Sequence, residues 1–178
     1  MDFFDIVQAR YSHKEQFLPD AVPLADLEKI AHAGLRAPSG ANRQTVRLII
    51  LPDRAAIDPL SAFVQHGGLA TAPAVIAVCT KNAPSAEGLN FEKEDYSACV
   101  ENMLLGAVAL GYAALWLDYP YFDAGNQKRA KEVLHIPDAY HLWLTMPIGK
   151  PDGPGTRREK MPLEERLFYG AYGRKTTT

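Results

Sequence analysis

The stretch "EDYSACVENMLLGAVALGYAALWLDYP", residues 94–120, holds the longest periodic pattern in the chain. Tyr96, Cys99, Val100, Met103, Leu104, Ala107, Val108 and Gly111 recur along one face at helical spacing. Leu105, Ala109 and Leu110 make the other side apolar too. A helix apolar nearly all round is expected to be buried on almost every side. Ala98, Gly106, Ala107 and Ala109 are small enough for neighbouring backbones to come close. In a chain of 178 residues, so enclosed a helix points to a second subunit covering part of it. The end of the stretch, residues 113–120, is expected to be a strand.

Working outward, "HLWLTMPIG" (141–149) and "APAVIAVCT" (72–80) are apolar runs of strand length, the second with almost no polar alternation until Thr80. Such a run suits a strand buried on both faces. "VRLIIL" (46–51) is another strand. Residues 123–136 form a helical pattern with Asp123 placed to cap it. Residues 52–68 are expected to be a turn and a helix closed by Gly67 and Gly68. Two helices precede the first strand: a short one from Phe3 to near Arg10, and one opened by Pro23 with Leu24, Leu27, Ile30, Ala31, Gly34 and Leu35 in register. Pro38 stops it. The segment from Lys81 to Phe91 is rich in Pro, Gly, Asn and Ser and is expected to be a loop. Helices and strands alternate along one chain, which predicts a mixed α/β or α+β sandwich: one sheet with helices on both faces.

A net charge of −2 makes no electrostatic case for nucleic acid as the main partner. Cys79 and Cys99 lie far apart in apolar segments, and neither a CxxC pair nor a Cys/His ligand spacing occurs. They are expected to be small buried hydrophobes in a reducing compartment, with no metal. The first ten residues are acidic and lack the basic region of a signal peptide, and no apolar run approaches the ~20 residues that span a bilayer. The expected location is cytoplasmic, with no membrane partner.

The sequence lacks the glycine patterns of dinucleotide and P-loop sites, HExxH and GxSxG. Its five histidines, including His13, His66 and His141, show no ligand spacing. Three polar clusters remain. "ARYSHK" places Arg10, Ser12 and Lys14 after a helix, a donor set that suits an anionic group such as a phosphate; a solvated helix end explains it as well. "RAPSGANRQ" places Ser39, Asn42 and Gln44 at a helix-to-strand turn. The Asn42 and Gln44 amides both donate and accept, which suits the edge of a planar heterocycle; ordinary turn chemistry also accounts for the three residues. "RREK" (157–160) is a surface charge run, or the second half of a phosphate clamp.

In their order along the chain, R-x-S-x-K, APSxxNxQ, a small-residue helix ending in Gly, PIGKP and a basic pair before PLEE resemble the FMN-dependent nitroreductase family. The resemblance implies an α+β sandwich with a central, mostly antiparallel sheet. It implies one domain over 1–178, with a C-terminal arm from about 150, in a domain-intertwined homodimer. Arg10, Tyr11 and Ser12 then fall at the FMN phosphate and ribityl chain, and Lys14 at the pyrimidine edge of the flavin. Pro38, Ser39 and Asn42 match a segment reaching FMN from the partner subunit, and Gln44 its last polar position. Trp116, Leu117 and Asp118 fall over the flavin face and near N5. Arg158 and Lys160 match a late basic pair at the phosphate. Lys14 and Asp118 are the implied catalytic positions, with NADH or NADPH as reductant and a nitroaromatic, quinone or similar small molecule as acceptor. Relatives that dehalogenate, relatives that fragment flavin, and a non-catalytic FMN-binding dimer are the alternatives.

Four departures from the family pattern stand out. Thr45-Val46 replace Pro-Trp after the Gln, Lys160 replaces an Arg, Asp118-Tyr119 replace Glu-Gly, and the 81–91 loop is a short lid. Phe91, Tyr96, Tyr119 and Tyr121 are the aromatic options for a substrate pocket.

Overall fold

The computed structural model describes residues 1–175. Asp2 caps α1 (Phe3–Ala9) through a reciprocal pair of hydrogen bonds with Asp5. α2 (Leu24–Leu35) buries Leu27, Ile30, Ala31 and Gly34 on one face. β1 (Val46–Leu51), β2 (Ala74–Lys81), β3 (Ala113–Ala114) and β4 (Tyr140–Gly149) form one antiparallel sheet in the order β1-β2-β4-β3. β2 lies inside the sheet, and its first seven residues are buried, as its unbroken apolar run requires.

The sheet separates two apolar layers. On one side Ile76, Val78, Leu144, Met146 and Ile148 pack against α2 and α5 (Glu92–Ala109). On the other, Val75, Ala77, Cys79 and Leu142 pack against α3 (Arg54–Ser61), α4 (Gly67–Thr71) and α6 (Ala124–Val133) through Ile57, Leu60, Leu69 and Ala130. The fold is therefore an α+β sandwich, with helices on both faces of a mostly antiparallel sheet. Among the described residues, no helix is long and apolar enough to cross a membrane.

Several expectations need correction. Gly67 and Gly68 do not close a helix; they open α4, where the His66 ring accepts a 3.1 Å hydrogen bond from the Gly68 N–H. α3 ends earlier, at Ser61. Residues 113–120 are a strand only at Ala113–Ala114, followed by a single bridge from Leu117 to Thr145 and a 3-10 turn over Tyr119–Phe122. Pro120, with no N–H to give a ladder, sits in that turn. α5 begins two residues earlier than its periodicity suggests and is not enclosed within the chain. Cys99, Val100, Met103, Leu104 and Ala107 are buried, whereas Leu110, just beyond its end, is 37% exposed.

Candidate functional site

After α1 the chain runs extended past the sheet edge. Ser12 makes a parallel bridge to Ala114 of β3, and the His13 N–H donates to the Ala114 carbonyl at 3.1 Å. His13 is the anchor of this strip and is 0% exposed. Its Nε2 lies 2.8 Å from the Gln16 carbonyl, its Nδ1 3.4 Å from the Tyr11 hydroxyl, and its ring meets Phe17 edge-on at 4.6 Å. Extended backbone sends alternate side chains to opposite sides. Tyr11 and His13 take the inner direction, leaving Arg10, Ser12 and Lys14 for the outer one. Arg10 makes a loose ion pair with Glu101 of α5, at 3.7 Å.

The tail returns over this strip. Gly155 lies so close to the Tyr11 ring that a Cβ there would overlap it. The Thr156 N–H donates to Glu15 Oε1 at 3.2 Å, and the Arg157 guanidinium donates to the Gln8 carbonyl at 3.2 Å while lying 5.0 Å from the centre of the Tyr11 ring. Hydrogen bonds from Thr156 hold the Glu15 carboxyl down at about 2. Arg158 and Lys160 follow in the same segment, both exposed. Arg157, not named among the site residues from sequence, is the basic residue that contacts the strip. The pairing of Glu15 with Thr156 had no sequence signal at all.

Trp116, Leu117 and Asp118 continue directly from β3. Leu117 exchanges two 3.1 Å backbone hydrogen bonds with Thr145, and the Trp116 indole N–H donates to Asp118 Oδ2 at 3.0 Å. Because Ser12 and His13 join Ala114, the structure brings the N-terminal strip and the 116–118 segment to one sheet edge. Lys14 stands near His66, whose pKa is lowered by burial and then by the Lys14 charge.

The Ser39–Gln44 bend lies elsewhere. Ala41, Asn42 and Gln44 have φ of 50°, 54° and 50°, the left-handed region that asparagine tolerates better than most residues. Ser39 Oγ accepts from the Gln44 N–H at 3.0 Å, and the Gln44 amide donates to Asn42 Oδ1 at 3.3 Å. Pro38, Asn42 and Gln44 are exposed and Ser39 is half-buried. The bend is held from below by Asp95, which sequence reading did not single out. Its carboxylate accepts from the Gly40 N–H at 2.7 Å and from the Thr45 hydroxyl at 2.6 Å. A cavity of about 420 Å³ lies between this bend, α2 and β1. Asp95 and Glu101, the α5 contacts of the two clusters, are about 9 Å apart along the helix and on different sides of it. Bend and strip therefore do not face each other across α5.

Of the aromatic options, Tyr121 is buried and hydrogen-bonded to Thr145 at 3.0 Å, and Phe91 packs under Gly40. Tyr119 is exposed, and Tyr96 lies 5.8 Å from Trp116. Among the described residues, no group of His, Cys, Asp or Glu could hold a metal ion.

Fold and sheet edge together define the class as a nitroreductase-type α+β sandwich. The model of the "Nitroreductase family" matches residues 7–66 and 59–150, and the chain belongs to that family. An Archaeoglobus fulgidus protein named "Putative NADH dehydrogenase/NAD(P)H nitroreductase" is 34% identical over 148 residues, 82% of this chain and 78% of its own. A crystal structure from Bacteroides thetaiotaomicron bearing the same name superposes with a TM-score of 0.81 at 25% identity, covering 96% of this chain and 98% of that one. A Desulfovibrio desulfuricans nitroreductase-type structure, described as a complex with FMN, has a TM-score of 0.75 at 25% identity over 97% and 98% of the two chains.

Proposed function

We propose that the protein is an FMN-dependent NAD(P)H oxidoreductase whose flavin lies along the edge formed by β3 and the N-terminal strip. The observation that supports this reading is the bonding of Ser12 and His13 to Ala114, which joins the strip bearing Arg10, Ser12 and Lys14 to the edge that continues into 116–118. The donor set fits the cofactor. Arg10, Ser12 and the tail bases Arg158 and Lys160 offer the guanidinium, hydroxyl and ammonium groups a phosphate dianion requires, with Tyr11 as the inner support of the row. Lys14 supplies positive charge for the pyrimidine edge of the ring, and Trp116, Leu117 and Asp118 supply a wall for its face, with the Asp118 carboxylate held by the indole N–H. Bound FMN would supply the two-electron chemistry, from NADH or NADPH to a nitroaromatic, quinone or similar acceptor in a ping-pong cycle. The residues supply grip, orientation and preorganised charge.

The exposed polar bend Pro38–Gln44 and the open side of α5 support a homodimer in which each bend serves the neighbouring site. An Arg10 variant and an Asn42 variant, mixed and reassembled, should then regain part of the activity that each lacks alone. The purified protein should be yellow, release FMN on denaturation, and turn over NADH or NADPH with a quinone. A colourless protein that takes up no added FMN ends the proposal. Asp118-Tyr119 and Thr45-Val46, where the family pattern differs, favour a second reading as a non-catalytic FMN-binding dimer; flavin that neither nicotinamide nucleotide reduces would select it.

A further inference from the structure

The β2–β4 ladder pairs Val78 with Leu144 and Cys79 with Leu142, so Trp143 is an extra residue, a bulge. Bulges re-aim side chains. Here the indole stacks on Tyr96 of α5, with ring centres 4.7 Å apart and planes 21° apart. Its N–H donates to the Thr80 hydroxyl at 2.7 Å, which in turn donates to the buried Glu92 carboxylate at 2.8 Å. Tyr96 lies 5.8 Å from Trp116, and the His141 ring lies 4.1 Å from Trp143. Four rings thus follow in series from Trp116 through Tyr96 and Trp143 to His141. The far end of the series borders a cavity of about 730 Å³ at the end of the sheet. That volume is within the range of small-molecule sites.

We propose that this cavity binds a neutral, planar nitrogen heterocycle of the nucleobase kind, its ring added to the series at His141 and its edge read by the Asn82 amide N–H groups and the Gln127 amide carbonyl. The Asn90 amide already bonds Asn82 and Glu92, and the Gln127 amide nitrogen bonds His141 and the Leu142 carbonyl. Primary amides present a donor and an acceptor side by side, as such an edge does. The cavity's charges are mixed, with Glu92, Glu94 and Asp138 against Lys93 and Lys131. Lys131 pairs with Asp138 at 3.8 Å, Glu92 accepts from Thr80 and from Asn90, and Lys93 and Glu94 are of opposite sign. The Gln127 amide nitrogen lies 3.0 Å from His141 Nε2 and 3.3 Å from the Leu142 carbonyl. Burial lowers the His141 pKa, opposed by Glu92 and assisted by Lys131, so the ring offers an uncharged face. The Tyr96–Trp143 pair is stacked and the two outer pairs are tilted, by 53° and 44°; an aromatic face accepts a planar ring more readily than a puckered one. The assignment is independent of the flavin reading, which concerns the other end of the series.

Proton NMR of the full chain tests it. The chain has two tryptophans, so two indole N–H signals are expected, assigned with Trp143→Phe. Adenine is the probe and glucose the non-planar control. The expected result is a saturable shift of the Trp143 signal, with a Kd below about 1 mM, and no shift with glucose. Gln127→Ala and Asn82→Ala should each raise the Kd at least about fivefold through a lost edge hydrogen bond. Several results would overturn the proposal: a shift confined to Trp116, one that does not saturate, an equal response to glucose, or unchanged affinity in both variants.

Discussion

The Asp95 carboxylate, in the first turn of α5, accepts a 2.7 Å hydrogen bond from the backbone N–H of Gly40. Its second oxygen takes the Thr45 hydroxyl at 2.6 Å. One side chain, 2% exposed, thereby fixes both ends of the bend between α2 and β1.

Asp95→Ala should lower stability by about 2–3 kcal/mol, because it leaves a backbone donor and a hydroxyl without their charged acceptor. Asp95→Asn, which keeps one acceptor, should cost less. Urea unfolding of the two variants checks the order, and equal stability of wild type and Asp95→Ala would refute it.

Gly40 faces the Phe91 ring with no room for a Cβ. Gly40→Ala is expected to cost about 1–3 kcal/mol through overpacking. Combining it with Phe91→Ala should recover part of that loss, since contacting residues do not add independently. A double-mutant cycle by thermal or denaturant melting measures the coupling.

His66 and His141 both have pKa values lowered from 6.5, chiefly by burial. An unfolded chain then binds protons more readily than the folded one, so their contribution is present above pH 6.5 and is lost as pH falls from there through the depressed folded values. Protonating His66 also removes the acceptor that caps α4. His66→Asn, which can still cap, should flatten the acid side of the stability profile; an unchanged profile in both His66→Asn and His141→Gln would count against this assignment.

Burial raises the thiols of Cys79 and Cys99 to about 12. Neither should react with an aromatic disulfide reagent at pH 8 in the native protein, and both should react once it is unfolded in denaturant, since the thiolate is the reactive form. Rapid labelling of the native state would show that one of these layers opens.

Much of this was legible in the sequence. β1, β2 and β4 declared themselves as apolar runs of strand length, and α2, α5 and α6 by period and caps. The Gly67-Gly68 pair misled because glycines mark a helix end as readily as a loose beginning, and only the His66 ring, folded back on Gly68, decides between them. The strand expected over 113–120 shrank because Pro147 of β4, opposite Leu115, accepts the Leu115 N–H at 3.1 Å but has no N–H to return, and the chain then turns at Tyr119–Phe122. For the site, the strip at Arg10–Lys14 and the 116–118 segment could each be named, but their junction at Ala114 is a tertiary fact. Asp95 and Glu92 were hidden for a different reason. Acids in a first helical turn read as partners of the macrodipole, and nothing local distinguishes those that turn inward to Gly40, Thr45 or Thr80.

The clasp between Thr156 and Glu15 joins residues 141 positions apart. During synthesis, a nascent chain that has exposed only residues 1–140 holds the N-terminal strip and lacks the segment that lies across it. Closure of the tail over the strip should therefore be a late event in folding, made only after the sheet between the two has been synthesised.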